Sequence, residues 1–454
     1  MLPRLVALIA ASTILLGLAS TLVATFDEPT KGPQAPATRA EAVAYNATVS
    51  GLPTLSDESA VTPDDLAGLL GAELLHALAL SDIVSLERFA RGHPEAVAAL
   101  LSEPPPASVV AGWWSSVPAG QRHSLLRTLP RLLGNLEGMP YAVRDKANRA
   151  FLQSSLRQLE VEVASTTGRS ARHEAESRLS MLREIEKALG PGQAAPMRSL
   201  IAVDDTWPGR AVVALGDLDV ADYVSYLVPG MFFTVEGQIV DWTEIALDIH
   251  RDKAGIVRGV SDDASVVAAS FATVAWMGYE TPDIFTVGTL EKAREGAEQL
   301  DATVAGLREA RGVDQPHVSL IAHSYGSTAA SLSLARGTLD IDAIAIAGSP
   351  GVGVERAADF GLGEGSVFVA EANWDPVVDT AIHGADPGAP DFGAIVMGVA
   401  GGIDDATGET LAAVTGHLGY FAKHSESMRN FALIGLGLGE RVTGTSGQQL
   451  LAAG

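Results

Sequence analysis

The chain has 454 residues, 47% hydrophobic and 19% charged, which is enough apolar matter for a large folded body and too little charge density for a disordered one. Its 55 acidic against 31 basic side chains leave a formal charge of −24. That balance argues against nucleic acid and against charge-driven docking on anionic lipid, since both need a basic face. With no cysteine, disulfides, thiolate catalysis and cysteine-held metals are excluded.

In chain order, Arg4 precedes an uncharged stretch from Leu5 to Phe26 that ends at Asp27. Residues 1–26 read as a signal peptide or a membrane anchor. Both readings export the body, either secreted or anchored to the outer face of the cytoplasmic membrane. Residues 5–26 are then the point of any membrane association. Residues 27–61, rich in Pro, Ala, Thr and Gly, read as a flexible linker. Residues 62–190 carry helical spacing. Thr62-Pro-Asp-Asp is a helix start, and Leu133-Gly-Asn-Leu-Glu-Gly-Met-Pro is a turn cluster. Residues 153–189 resemble a helical hairpin, and at least one of Trp113 and Trp114 reads as a core residue.

From residue 191 to 454 the texture alternates. Ala211–Leu215 and Tyr223–Val228 read as strands. Ser265–Trp276 reads as a helix passing into a strand over Phe271–Met277. Thr289–Arg311 is an amphipathic helix. Strands are expected over 318–322, Ile341–Ile346 and Ser366–Ala370, with a final helix from Ser425. Such alternation predicts a mainly parallel sheet with helices on both faces, an α/β class.

The chemistry centres on Val318–Gly326. An apolar strand breaks at His323-Ser-Tyr-Gly and a small-residue helix follows, the context of a nucleophile elbow at Ser324. A serine needs a base, and the base needs a partner that orients it. In this fold type the acid and then the histidine follow the serine. Asp375, just past a strand, is the candidate acid, with Asp379 in reserve if a helix begins at Pro376. Glu371 stands closer to the strand. A helix N-cap before Pro376 is the competing role for Asp375. Spacing ranks His417 first as base, with His424 and His383 as alternatives. An oxyanion hole needs two N–H groups. Tyr325 supplies one, and Met231 or Phe232, after Pro229-Gly230, the other. The Gly-rich segment 376–416 reads as a pocket rim or lid. No metal, cofactor or phosphate motif emerges.

Several ordered pieces resemble an actinobacterial α/β-hydrolase family catalogued chiefly as a domain of unknown function. They are Tyr226-Leu-Val-Pro-Gly-Met, Ala275-Trp-Met-Gly-Tyr-Glu-Thr-Pro, Ala322-His-Ser-Tyr-Gly-Ser, Asp375-Pro-Val, Phe392-Gly-Ala, His417-Leu-Gly-Tyr-Phe, and Ser427-Met-Arg-Asn-Phe. The helical pieces from Leu133 and from Arg144 also resemble the region that precedes the hydrolase core there. The resemblance implies the α/β-hydrolase fold for residues 191–454, with Ser324 as nucleophile, Asp375 as acid and His417 as base. It favours His417 over His424 because an aromatic residue, Tyr420, stands three positions on. It sets the second oxyanion donor after Val-Pro-Gly, here Met231. Ala322 and Leu418 depart from the family's usual Gly and Ser. The expectation is an exported serine hydrolase acting on an ester or acyl bond, with a small-molecule or lipid ester as substrate. The alternatives are a peptidase with the same triad, or a non-catalytic scaffold whose helical part binds a partner.

Overall fold

The computed structural model describes residues 63–192, 195–259, 269–378, 380–404 and 407–444. The segments read as signal or anchor (1–26) and linker (27–61) lie outside the described residues, as do 265–268 and Asp379. No described helix is long and apolar enough to cross a membrane.

The first half is helical. Helices α1 (Pro63–Ala67), α2 (Gly71–Leu80), α3 (Ile83–Gly92), α4 (Pro94–Ser102), α5 (Ala107–Ser116), α6 (Ala119–Thr128) and α7 (Pro130–Asn135) follow one another closely. They surround one apolar cluster that includes Leu66, Phe89, Leu125 and both Trp113 and Trp114. Asp82 caps α3, accepting from the N–H groups of Val84 and Ser85. Then come the paired long helices α8 (Tyr141–Ser165) and α9 (Arg169–Leu189). Composition suggests a boundary at residue 190, but the core is continuous there. Leu152, Leu182 and Ile185 share one apolar cluster with Leu200, Val213 and Ile321 of the sheet.

Eight strands form the main sheet: β1 (Arg198–Asp204), β2 (Arg210–Leu215), β3 (Tyr223–Val228), β4 (Phe271–Met277), β5 (His317–His323), β6 (Ala343–Ala347), β7 (Val367–Ala370) and β8 (Ile395–Val396). Their spatial order is β1-β2-β4-β3-β5-β6-β7-β8. β2 runs antiparallel to β1 and β4, and the rest are parallel.

The strands are apolar nearly throughout because helices cover both faces. Alternation sorts their residues. Val318, Leu320 and Ala322 meet one face, where helices α11 (Glu291–Arg311) and α12 (Tyr325–Ala335) pack. Ile321 meets the other, under α8, α9, α10 (Val235–Gly259) and α13 (Glu426–Ile434). Strands β1 and β8 and helix α10 were not anticipated from the sequence. β1 has Arg, Ser and Asp at its ends, and β8 is only two residues long. Thr289 and Leu290 precede the observed start of α11, where Leu290 occupies the N-cap position.

The described residues of segment 376–416 hold short strands but no helix. No helix opens at Pro376, so the N-cap role for Asp375 is not realised. The segment carries β8 and the small hairpin β9 (Gly402–Ile403) and β10 (Thr410–Leu411). Phe392, Met397 and Val414 anchor it in the core.

Candidate active site

The site lies where β5 ends and α12 begins. Ser324 sits between them with φ +54 and ψ −132, a positive-φ conformation that a non-glycine residue adopts only under constraint. Its own N–H is tied to the Ala347 carbonyl of β6 at 2.9 Å. The turn survives because its neighbours are small. A Cβ on Gly326 would come within 2.6 Å of the Pro229 carbonyl oxygen. One on Gly230 would come within 2.5 Å of the Ser324 Cβ. Ala322, where Gly is more usual, is fully buried in the face under α12.

Three side chains from different loops meet at this turn. Ser324 Oγ lies 2.8 Å from His417 Nε2. His417 Nδ1 lies 2.9 and 3.0 Å from the two Asp375 oxygens. Asp375 also accepts from the Val377 N–H at 2.9 Å and from the Tyr420 hydroxyl at 2.7 Å. Tyr420 in turn accepts from the Ala372 N–H at 2.9 Å.

Burial pushes the Asp375 carboxyl up, but the donors from His417, Val377 and Tyr420 outweigh it and hold the acid below its ordinary range. Burial and the adjacent Asp375 charge push the Tyr420 phenol up, so it stays a donor. Gly348, with φ +59, follows β6 and leaves the room this cluster needs. A Cβ there would lie 2.8 Å from Asp375 Oδ2 and 3.1 Å from His417 Nδ1. Gly348 was not singled out from the sequence, though a Gly-Ser-Pro-Gly run closing an apolar strand marks such a close approach.

The other candidates stand elsewhere. His424 is exposed. His383 is 1% exposed and packs edge-on against the Tyr325 ring at 5.2 Å, with burial lowering its pKa to about 4. The Glu371 carboxylate lies against Gly388.

Of the two backbone donors considered after Gly230, the Phe232 N–H is taken by the Pro282 carbonyl at 3.0 Å. Met231, the other candidate, directly follows Gly230, whose backbone lies against Ser324. The Tyr325 N–H opens α12, with no carbonyl of its own helix ahead of it, at the end of the helix dipole that favours negative charge. The Tyr325 ring is buried, and its hydroxyl donates to the Thr289 carbonyl at 2.6 Å.

The described residues hold no group of three or more His, Asp or Glu arranged for a metal. Chemically, a hydroxyl hydrogen-bonded to an imidazole whose other nitrogen faces a buried carboxylate can deliver an alkoxide-like nucleophile.

Residues 204–385 match a family described as Alpha/beta hydrolase. The Mycobacterium tuberculosis protein named Uncharacterized protein Rv2079 is 30% identical over 302 residues, which is 60% of this chain and 44% of that protein. Uncharacterized protein Mb0988c of Mycobacterium bovis is 30% identical over 226 residues, 49% of this chain and 79% of that protein. The chain thus spans less than half the length of the first of these relatives. A solved structure described as an arylesterase overlaps 65% of this chain and 98% of its own, at 11% identity and a TM-score of 0.32. An esterase from the archaeon Pyrobaculum calidifontis overlaps 64% of this chain and 97% of its own, at 12% identity and a TM-score of 0.32.

Proposed function

The chain belongs to the α/β-hydrolase family, and from that premise we propose that it is a serine hydrolase cleaving an ester or acyl bond through an acyl-enzyme. Ser324 Oγ attacks the carbonyl carbon while His417 Nε2 takes its proton. Asp375 holds the imidazole by Nδ1–H and balances the imidazolium that forms. The N–H groups of Tyr325 and Met231 receive the oxyanion. His417 then gives its proton to the leaving oxygen. A water, deprotonated by the same nitrogen, releases the acyl group and restores the serine.

The single observation that supports this reading is the unbroken hydrogen-bond path from Ser324 through His417 to Asp375, at 2.8 and 2.9 Å. The substrate proposed is a small-molecule or lipid ester. Export of the body is part of the proposal and rests on residues 1–26 alone.

Hydrolysis of p-nitrophenyl esters of graded chain length tests it. The full chain should turn over at least one ester. Ser324→Ala, folded by circular dichroism, should lose about 10⁴-fold or more in kcat. A folded wild type inert on every ester, or a Ser324→Ala variant with unchanged turnover, would refute the reading.

A further inference from the structure

The residue just before the nucleophile poses a question that packing does not answer. His323 ends β5, is 1% exposed, and stands among rings. Phe233, Tyr420 and Phe421 have ring centroids 6.4, 6.1 and 5.4 Å from its own. A phenylalanine would suit such a cage. An imidazole is disfavoured there, because its Nδ1 is buried with no hydrogen-bond partner among the described residues. Burial, with the nearby His417 charge, lowers its pKa to about 3, so it is a neutral ring.

Among the described residues its one side-chain hydrogen bond runs from Nε2 to the backbone carbonyl of His417, at 2.8 Å. A carbonyl only accepts, so Nε2 carries the proton and Nδ1 is the bare nitrogen. The two imidazoles also lie against each other, with centroids 4.6 Å apart and planes 40° apart. His323 therefore touches His417 twice, at the main chain and across the ring. The loop bearing His417 has few other ties to the elbow. Gly416 N–H donates to the Asn373 carbonyl at 2.9 Å, which fixes that loop to the acid's loop and not to the serine's.

We propose that His323 is a positioning residue that locks the backbone of His417 to the strand carrying Ser324, setting the distance from Nε2 to Oγ. This inference rests on the serine-hydrolase reading for its consequence, though not for its geometry. The elbow and the base are 93 residues apart in sequence. A clamp one residue from the nucleophile makes the two move as a unit. A misplacement of about 1 Å in such a pair costs about 100-fold in rate.

Two substitutions separate the clamp from mere filling. His323→Phe keeps a ring in the cage and removes the donor. His323→Gln removes the ring and keeps an N–H at the same reach. His323→Phe should lower kcat about 10- to 100-fold with KM unchanged and Tm at or above wild type. His323→Gln should restore most of kcat. Full turnover by His323→Phe, or equal losses in both variants tracking a fall in Tm, would overturn the clamp.

A second readout does not depend on turnover. The His417 Nδ1 proton facing Asp375 should give a low-field ¹H resonance in wild type and His323→Gln, and a broadened or absent one in His323→Phe. Identical resonances in all three would also overturn the clamp. An inert wild type would instead count against the proposed function, and the resonance would still decide this inference.

Discussion

At the scale of single residues, the site is a set of hydrogen bonds whose donors and acceptors can be counted. Asp375 has two oxygens and receives from His417, from the Val377 N–H and from the Tyr420 hydroxyl. Tyr420→Phe removes one donor from a buried carboxylate and leaves the Ala372 N–H without its acceptor. A bond to a charged group contributes about 1.5–3 kcal/mol, so the carboxylate becomes more basic and grips the His417 proton harder. The expected outcome is about a tenfold fall in kcat/KM at neutral pH. The acid limb of its pH profile should move to higher pH, as read by esterase assays from pH 4 to 8. A limb that stays in place, or moves lower, would show that the Tyr420 hydroxyl is not felt by the acid–base pair. Sequence order was enough to shortlist Ser324, Asp375 and His417, because strand ends and turn residues are local signals. The contacts of His323, Gly348 and Tyr420 were not legible. Each depends on which loops meet in space, and nothing in a neighbour along the chain encodes that.

At the scale of elements, the sheet's alternation explains an unexpected buried charge. Ser225 of β3 pairs with Ser319 of β5 and with Thr273 of β4 in register, so three hydroxyls form a row facing α10. Lys253 of α10 is fully buried over that row and donates to Ser225 Oγ at 2.7 Å, while Ser225 and Ser319 share a bond at 2.7 Å. The end of α13 is shaped around it, since a Cβ on Gly435 would lie 2.5 Å from Lys253 Cε. Burial lowers the Lys253 pKa from 10.5 to about 7. Between those values the unfolded chain binds a proton that the folded chain does not. Stability contributed by this group therefore rises with pH across that window, by about 1.4 kcal/mol per unit, and is flat on either side. Lys253→Met should be more stable than wild type at pH 7 by about 2–4 kcal/mol, and the gap should close toward pH 10. Urea midpoints measured at pH 7, 8, 9 and 10 check this. A gap independent of pH would mean that Lys253 keeps its charge in the fold. The strands carrying these hydroxyls were readable as apolar runs in the case of β3, β4 and β5. Helix α10 was not, because its buried residues mix Trp242, Thr243 and Lys253 with aliphatic ones, and their burial comes from α9, α13, β2 and β4 together.

At the scale of the whole molecule, the antiparallel β2, the parallel remainder and the strand order make an α/β-hydrolase sheet in which β5, leading to Ser324, lies between β3 and β6. The α class of residues 63–189 and the α/β class beyond were both legible from periodicity, which is a property of single segments. The join between them was not. The hairpin α8–α9 closes the core at β1 and β2 and shares its apolar cluster, a tertiary fact without a compositional mark. If this frame activates one serine, covalent labelling reads it directly. The full chain is treated with a fluorophosphonate, digested and mapped by mass spectrometry, beside Ser324→Ala and His417→Ala. One adduct per chain is expected, on the peptide containing Ser324, absent from Ser324→Ala and slowed about 10³-fold or more in His417→Ala. An adduct on another serine, or labelling that persists at the same rate without His417, would contradict it.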